Sequence, residues 1–139
     1  MNWLVYTLSI VLLALAGLAL WVRFAPSDPA RWHVAPGATR DRDMPGGVIR
    51  VVPGDAAALA RLDAIIRATP RTTHLAGSLD EGMLSYVSRS RLWGFPDYTT
   101  VALRDDRLVV HARLRFGRSD MGVNKARVAR WLEKLGRQG

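Results

Sequence analysis

The stretch YTTVALRDDRLVVHARLR, residues 98–115, decides the fold. Two β-rich runs, 98–104 and 107–116, flank Asp105-Asp106, a two-residue loop of the kind that closes a tight hairpin. Such a loop sets the register. Arg104 faces Arg107, Thr100 faces His111, and Tyr98 faces Arg113. Side chains alternate along a strand, so Val101, Leu103, Leu108, Val110, Ala112 and Leu114 share one face, which is predicted to be the core. The other face collects Tyr98, Thr100, Arg104, Arg107, His111, Arg113 and Arg115.

Working outward, residues 83–92 read as the preceding strand, joined to the hairpin by a turn at 93–97 built on Gly94 and Pro96. Arg89 and Arg91 alternate in that strand. Which face they occupy depends on the register the five-residue loop imposes. Residues 71–76, with Thr72 and Thr73, make a further strand. Before it, Asp55 is placed to cap a helix in which Leu59, Leu62, Ile65 and Ile66 recur at helical spacing, and Thr69-Pro70 ends it. The β-branched run 48–52, closed by Pro53-Gly54, is the first strand. After the hairpin a last helix begins near Ser119 or Asp120. Its apolar stripe is Met121, Val128, Trp131, Leu132 and Leu135, and its wet face Lys125, Arg127, Arg130, Lys134 and Arg137. Strand, helix, four strands, helix is the order of an α+β two-layer domain. A mostly antiparallel sheet is expected, with two helices on one face.

The chain before this domain is of another kind. Leu4 to Val22 holds nineteen residues without a charge, and every Lys, Arg, Asp and Glu follows it. As a helix it spans about 28 Å, close to the hydrocarbon thickness of a bilayer. Its seven Leu, three Val and one Ile contribute about −3 to −6 kcal/mol to insertion. Trp3, Tyr6 and Trp21 stand near its ends, where interfacial aromatics belong. Residues 1–22 are therefore expected to be a single-pass transmembrane anchor in the cell membrane. A cleaved signal peptide normally opens with a cation, and none precedes this run. Arg23, Arg31, Arg40 and Arg42 follow it, so the positive-inside rule points the domain to the cytoplasmic side. Residues 23–47, with Pro26, Pro29, Pro36 and Pro45 and no apolar period, read as a Pro/Gly-rich tether to a domain at 48–139. Trp32 is its largest apolar residue, free to dock on the domain or on the membrane.

Composition narrows the chemistry. There is no Cys, which removes disulfides, thiolate metal sites and Cys nucleophiles. The net charge is +8, and eighteen of the twenty cations are Arg. Arginine favours bidentate recognition of carboxylate or phosphate. His33, His74 and His111 lack metal-ligand spacing, so no metal and no cofactor is expected. Residues 117–122 superficially have the spacing of a phosphate loop, but Val123 and Asn124 stand where Lys and Ser or Thr are required. Capping by Ser119 or Asp120 explains that junction.

The segments LAGSLDEGMLSYVSRSRLWGFPDY (residues 75–98) and RLRFGRSDMGVNKARVARWL (residues 113–132) carry a resemblance. The chain resembles the bacterial and plastid family DUF1499, a domain of unknown function, over about two thirds of its part beyond the apolar segment. The resemblance implies a small, often membrane-associated α+β domain and carries over no catalytic residue.

Two functions follow as expectations. The first is a membrane-tethered binding or assembly module. Its arginine-rich sheet face, Arg113 and Arg115 with His111, Tyr98 and Thr100, joined by Arg89 and Arg91, would take an anionic group: a lipid headgroup or an acidic protein partner. A solvated sheet face has the same pattern. On that reading Leu114→Ala is a core truncation and Arg113→Ala costs little. The second is a small hydrolase or lyase using His111 with Asp97 or Asp120. Nucleic acid fits less well, since tethering and the lack of a reader motif argue against it.

Overall fold

The computed structural model describes residues 2–138. Helix α1 (Trp3–Phe24) leads into a single helical turn, α2 (Pro29–Trp32). Then come β1 (Arg42–Met44), β2 (Gly47–Pro53), α3 (Ala56–Arg67), β3 (Thr72–Ser78), β4 (Met83–Arg89), β5 (Pro96–Arg104), β6 (Arg107–Leu114) and α4 (Val123–Gln138). The strands form one open sheet in the order β1-β2-β6-β5-β4-β3, antiparallel throughout. This is the expected α+β architecture.

The hairpin has the predicted register, with Arg104 paired to Arg107, Thr100 to His111 and Tyr98 to Arg113. Asp105 and Asp106 both take left-handed backbone, φ 50° and 58°, as a two-residue hairpin turn of this hand requires. Val101, Leu108, Val110 and Ala112 lie on the core face beside Leu84 and Tyr86 of β4 and Val48 of β2. Leu59, Leu62 and Ile66 of α3 and Val128, Trp131 and Leu135 of α4 close over them. Asp55 caps α3, its carboxylate accepting from Ala58 N at 2.9 Å. The Tyr86 hydroxyl, pushed up in pKa by burial, donates to Asp63 at 2.7 Å and ties β4 to α3. Trp131 Nε1 donates to Thr69 Oγ1 at 2.8 Å, joining α4 to the end of α3.

Local expectations are corrected at Leu114, Met121, Arg127 and the 90–95 turn, and the cap of α4 is resolved to one of its two candidates. Leu114 is half-buried and outside the core: it lines a cavity with Val123 and Arg127 of α4, which polar Asp97 shares. Met121 is 95% exposed with φ 53°, since α4 starts only at Val123. Asp120 does the capping, one carboxylate oxygen accepting from Gly122 N and the other from Asn124 N. Arg127, assigned to the wet face, is half-buried and lies 3.5 Å from the Asp97 carboxylate. β4 ends at Arg89, so the turn spans 90–95 and not 93–97.

The largest difference concerns residues 23–47. They do not hang free as a tether: β1 adds an edge strand to the sheet, and the stretch from Ala25 to His33 lies across the face opposite the helices as a strap. Pro-rich sequence hides this, because the strap is held by individual contacts and not by a repeating pattern. At the edge, Arg50 of β2 and Lys125 of α4 both reach Asp43, each at 2.7 Å.

α1 is long and apolar enough to cross a membrane. Val22 alone is buried within it, against the domain, and Ala25 is buried just after. The length before Val22, Trp3 to Trp21, about 28 Å, is exposed apart from the half-buried Ala19.

Candidate functional site

The expected arginine face exists, but its groups are turned inward. Trp32 stacks on Tyr98 with ring centroids 3.9 Å apart and planes 10° from parallel. Arg113 Nη2 donates to the Trp32 carbonyl at 2.6 Å, and its Nη1 to Thr100 Oγ1 at 3.0 Å. Arg115 Nη1 donates to the Pro26 carbonyl at 2.8 Å and to the Tyr98 hydroxyl at 3.0 Å. Ser27 shares a 2.7 Å hydrogen bond with that same hydroxyl. His33 bridges Ser85, 2.7 Å from Nδ1, and Glu81, 2.8 Å from Nε2. Gly77 of β3 makes room for the His33 ring: at φ 89°, a Cβ there would fall 2.6 Å from His33 Cε1. The strap's backbone carbonyls thus occupy two guanidiniums that the sequence offered to a ligand. Burial pulls Arg113 down to about 10, which still leaves it charged near neutrality.

His111 sits on this face, beside Thr100 and Ile49 in neighbouring strands. Burial, and then the charge of Arg113, lower its pKa to about 4. Asp97 pairs with Leu114 and shares the parity of Thr99 and Val101, which places it on the opposite, helix-bearing face. There Asn124 Nδ2 donates to it at 3.2 Å. Burial raises the Asp97 pKa even with Arg127 alongside. Asp120 is occupied as the cap of α4. The sheet therefore does not bring His111 together with either carboxylate. Among the described residues, no group of three His, Asp or Glu is placed to hold a metal.

The depressed His111 pKa gives a sign for pH dependence. The unfolded imidazole takes up a proton near 6.5 and the folded one only near 4. The stabilisation is full above 6.5 and disappears as pH falls from there toward 4. It is worth about 1–3 kcal/mol, allowing for solvent at the ring's open edge. Thermal unfolding of wild type and His111→Gln at pH 7 and pH 4.5 checks this. The wild type should lose more of its melting temperature than the variant, and equal losses would contradict it.

Arginines without an acidic partner gather at one end of the sheet. Between the foot of α1 and the β3–β4 edge lies a cavity of about 640 Å³. Arg23, Arg71, Arg89 and Arg91 line it, with His74 and Phe24, and no carboxylate does. Among the described residues, none of these four arginines has a carboxylate within ion-pair distance. Local structure positions each. Arg71 stands at φ 56° in the turn after Pro70, its carbonyl accepting from Arg89 N at 2.9 Å. Arg89 closes β4 on the Tyr98 face, and one of its Nη atoms donates to the Gly94 carbonyl at 2.9 Å. That bond shapes the 90–95 turn, which carries Arg91. Gly94, at φ 70°, lets Arg23 approach: a Cβ there would lie 3.2 Å from Arg23 Cγ. Around the sheet's edge, a cavity of about 250 Å³ is lined by Arg71 and Arg89 again, with Arg127, Arg130 and Lys134.

Four arginines thus line one cavity whose lining holds no carboxylate, and a guanidinium fork can grip two oxygens at once. Of the residues expected to bind, Arg89 and Arg91 belong to this cavity. Arg113, Arg115, His111, Tyr98 and Thr100 belong to the strap's footing. Arg23 and Arg71 were missed. The sequence signal for them is modest: Arg23 directly follows the uncharged run, and Arg71 directly follows the Thr69-Pro70 helix end. A family model described as "Protein of unknown function (DUF1499)" matches residues 25–135. The match opens at Ala25, directly after α1, and so takes in the strap as well as the sheet and helices. A search of curated proteins gives no match.

Proposed function

The chain belongs to the DUF1499 family, and we propose that it is a membrane-anchored binding module whose arginine-lined cavity takes a phosphate-type anion, foremost a lipid headgroup. In this reading α1 crosses the cell membrane once. Arg23, Arg31, Arg40 and Arg42 after it favour a cytoplasmic domain. One observation carries the proposal: Arg23, Arg71, Arg89 and Arg91 converge on a single acid-free cavity at the foot of the apolar helix. A basic site at that level meets the anionic headgroups of a bilayer before any soluble ligand. The Phe24 side chain on the cavity wall offers apolar contact for the start of an acyl chain.

The test uses the full chain in a neutral detergent, heated with dihexanoyl phosphatidylglycerol, dihexanoyl phosphatidylcholine or inorganic phosphate. At a ligand concentration about a hundred times Kd, binding adds about 2.7 kcal/mol and raises the melting temperature by several degrees. The expected result is a rise with phosphatidylglycerol, none with phosphatidylcholine, and loss of the rise in an Arg71→Gln/Arg91→Gln double variant. A rise with inorganic phosphate alone would move the ligand from lipid to a soluble phosphate. No rise with either, and capture of an acidic polypeptide by the same arginines, would replace the lipid by a protein partner.

A further inference from the structure

We infer that the end of the sheet carrying the 90–95 turn is seated on the bilayer, with Leu92 and Trp93 entering a headgroup layer of anionic lipid, so that the domain is held at two points. The inference rests on α1 crossing the membrane, and it adds an orientation that the anchor alone does not supply. The level of the turn is fixed by the chain. Arg23, in the last turn of α1, is the first charged residue of the chain, and Gly94 packs directly against its stem. With α1 in a bilayer, the turn therefore lies at headgroup depth.

What the turn presents suits that depth. Leu92 is 75% exposed, Trp93 55% and Phe95 43%, side by side on one short loop. The part of each that is exposed faces solvent, and Trp is the side chain most at home where one end is apolar and the other wet. The start of β5 and the end of β6 are paired strands, so the segment after β6, with the exposed Met121, emerges at this same end. Charge points the same way. This end carries Arg23, Arg71, Arg89 and Arg91 around the turn, and Arg118 beyond β6. Asp97 and Asp120 also lie at this end but are outnumbered, whereas the turns at the far end, 79–82 and 105–106, carry Asp80, Glu81, Asp105 and Asp106 against Arg104 and Arg107. An anionic surface attracts the first end and repels the second, which orients the domain end-on.

The chain has no cysteine, so one introduced thiol is a unique label site. Full-length Leu92→Cys, Asp105→Cys and Leu12→Cys proteins are labelled with a polarity-sensitive fluorophore. They are reconstituted in vesicles of phosphatidylglycerol mixed with phosphatidylcholine. Leu92 and Asp105 are exposed, so the labels leave the core intact. The expected result is blue-shifted emission and several-fold weaker quenching by aqueous iodide at position 92 than at 105, with position 12 the most protected. The protection at 92 should fall in pure phosphatidylcholine. Position 92 as quenchable as 105, with 12 still protected, would overturn the seating and leave the anchor standing. Position 12 open to iodide would overturn the anchor and the seating with it. Equal protection at 92 in both lipids would overturn the electrostatic orientation.

Discussion

Trp131→Ala is expected to lower the stability of the domain by about 3–5 kcal/mol. Trp131 is the largest of the fully buried side chains and stands where α4 meets α3 over the sheet. Truncation opens a cavity that the surrounding Leu and Ile side chains fill only in part. It also removes the donor that Thr69 Oγ1 accepts from at 2.8 Å. Small domains hold about 5–15 kcal/mol in all, so the variant is expected to retain little margin at 37 °C. Urea unfolding followed by far-UV circular dichroism measures it. A loss under about 1 kcal/mol would show that the α3–α4 contact is not central to the core.

Arg113→Ala is expected to cost about 2–4 kcal/mol and to loosen the strap. An exposed arginine on an open sheet would be nearly neutral when truncated. Here the guanidinium is half-buried, and it serves the Trp32 carbonyl at 2.6 Å and Thr100 at 3.0 Å. It also lies 5.5 Å from the centroid of the Trp32 ring. Removing it leaves the Trp32 carbonyl with only the 3.2 Å hydrogen bond from Thr100 Oγ1 and takes away one wall of the Trp32–Tyr98 stack. Trypsin should then cut faster after Arg31 and Arg40, in the segment that the stack holds down. Arg113→Lys should recover part of the stability but not all, because an ammonium lacks the fork that serves two acceptors at once. Unchanged stability with unchanged cleavage would return this face to a solvated one.

These two variants mark where the sequence was transparent and where it was not. The core side of the sheet was legible because its cause is local and periodic. Asp105-Asp106 fixes the register, and alternation then sorts Val101, Leu108 and Val110 from Thr100, His111 and Arg113. Trp131 was legible as a core residue for the same reason, through its place in a helical stripe. The strap was opaque because nothing in residues 25–41 repeats. Trp32, His33, Ser27 and two carbonyls hold it, and each depends on residues about fifty to ninety positions away in sequence. Arg127 was misplaced for a related reason. Helical spacing gave it a wet face, but the Asp97 carboxylate from β5 draws it inward. The candidate site was half legible. Arg89 and Arg91 stand out in the sequence, whereas Arg23 and Arg71 join them only once α1, the 68–71 turn and the 90–95 turn meet at one end of the sheet.

The acid-free arginine cavity at the foot of α1 is the centre of the functional reading, and lipid retained through purification tests it most directly. Full-length protein extracted from membranes in a mild detergent is examined by native mass spectrometry, alongside the Arg71→Gln/Arg91→Gln double variant. The predicted result is a population carrying the mass of one anionic phospholipid in the wild type and its loss in the double variant, with equal melting temperatures in detergent alone. Wild type free of phospholipid, or a double variant that retains it equally, would contradict the assignment of this cavity.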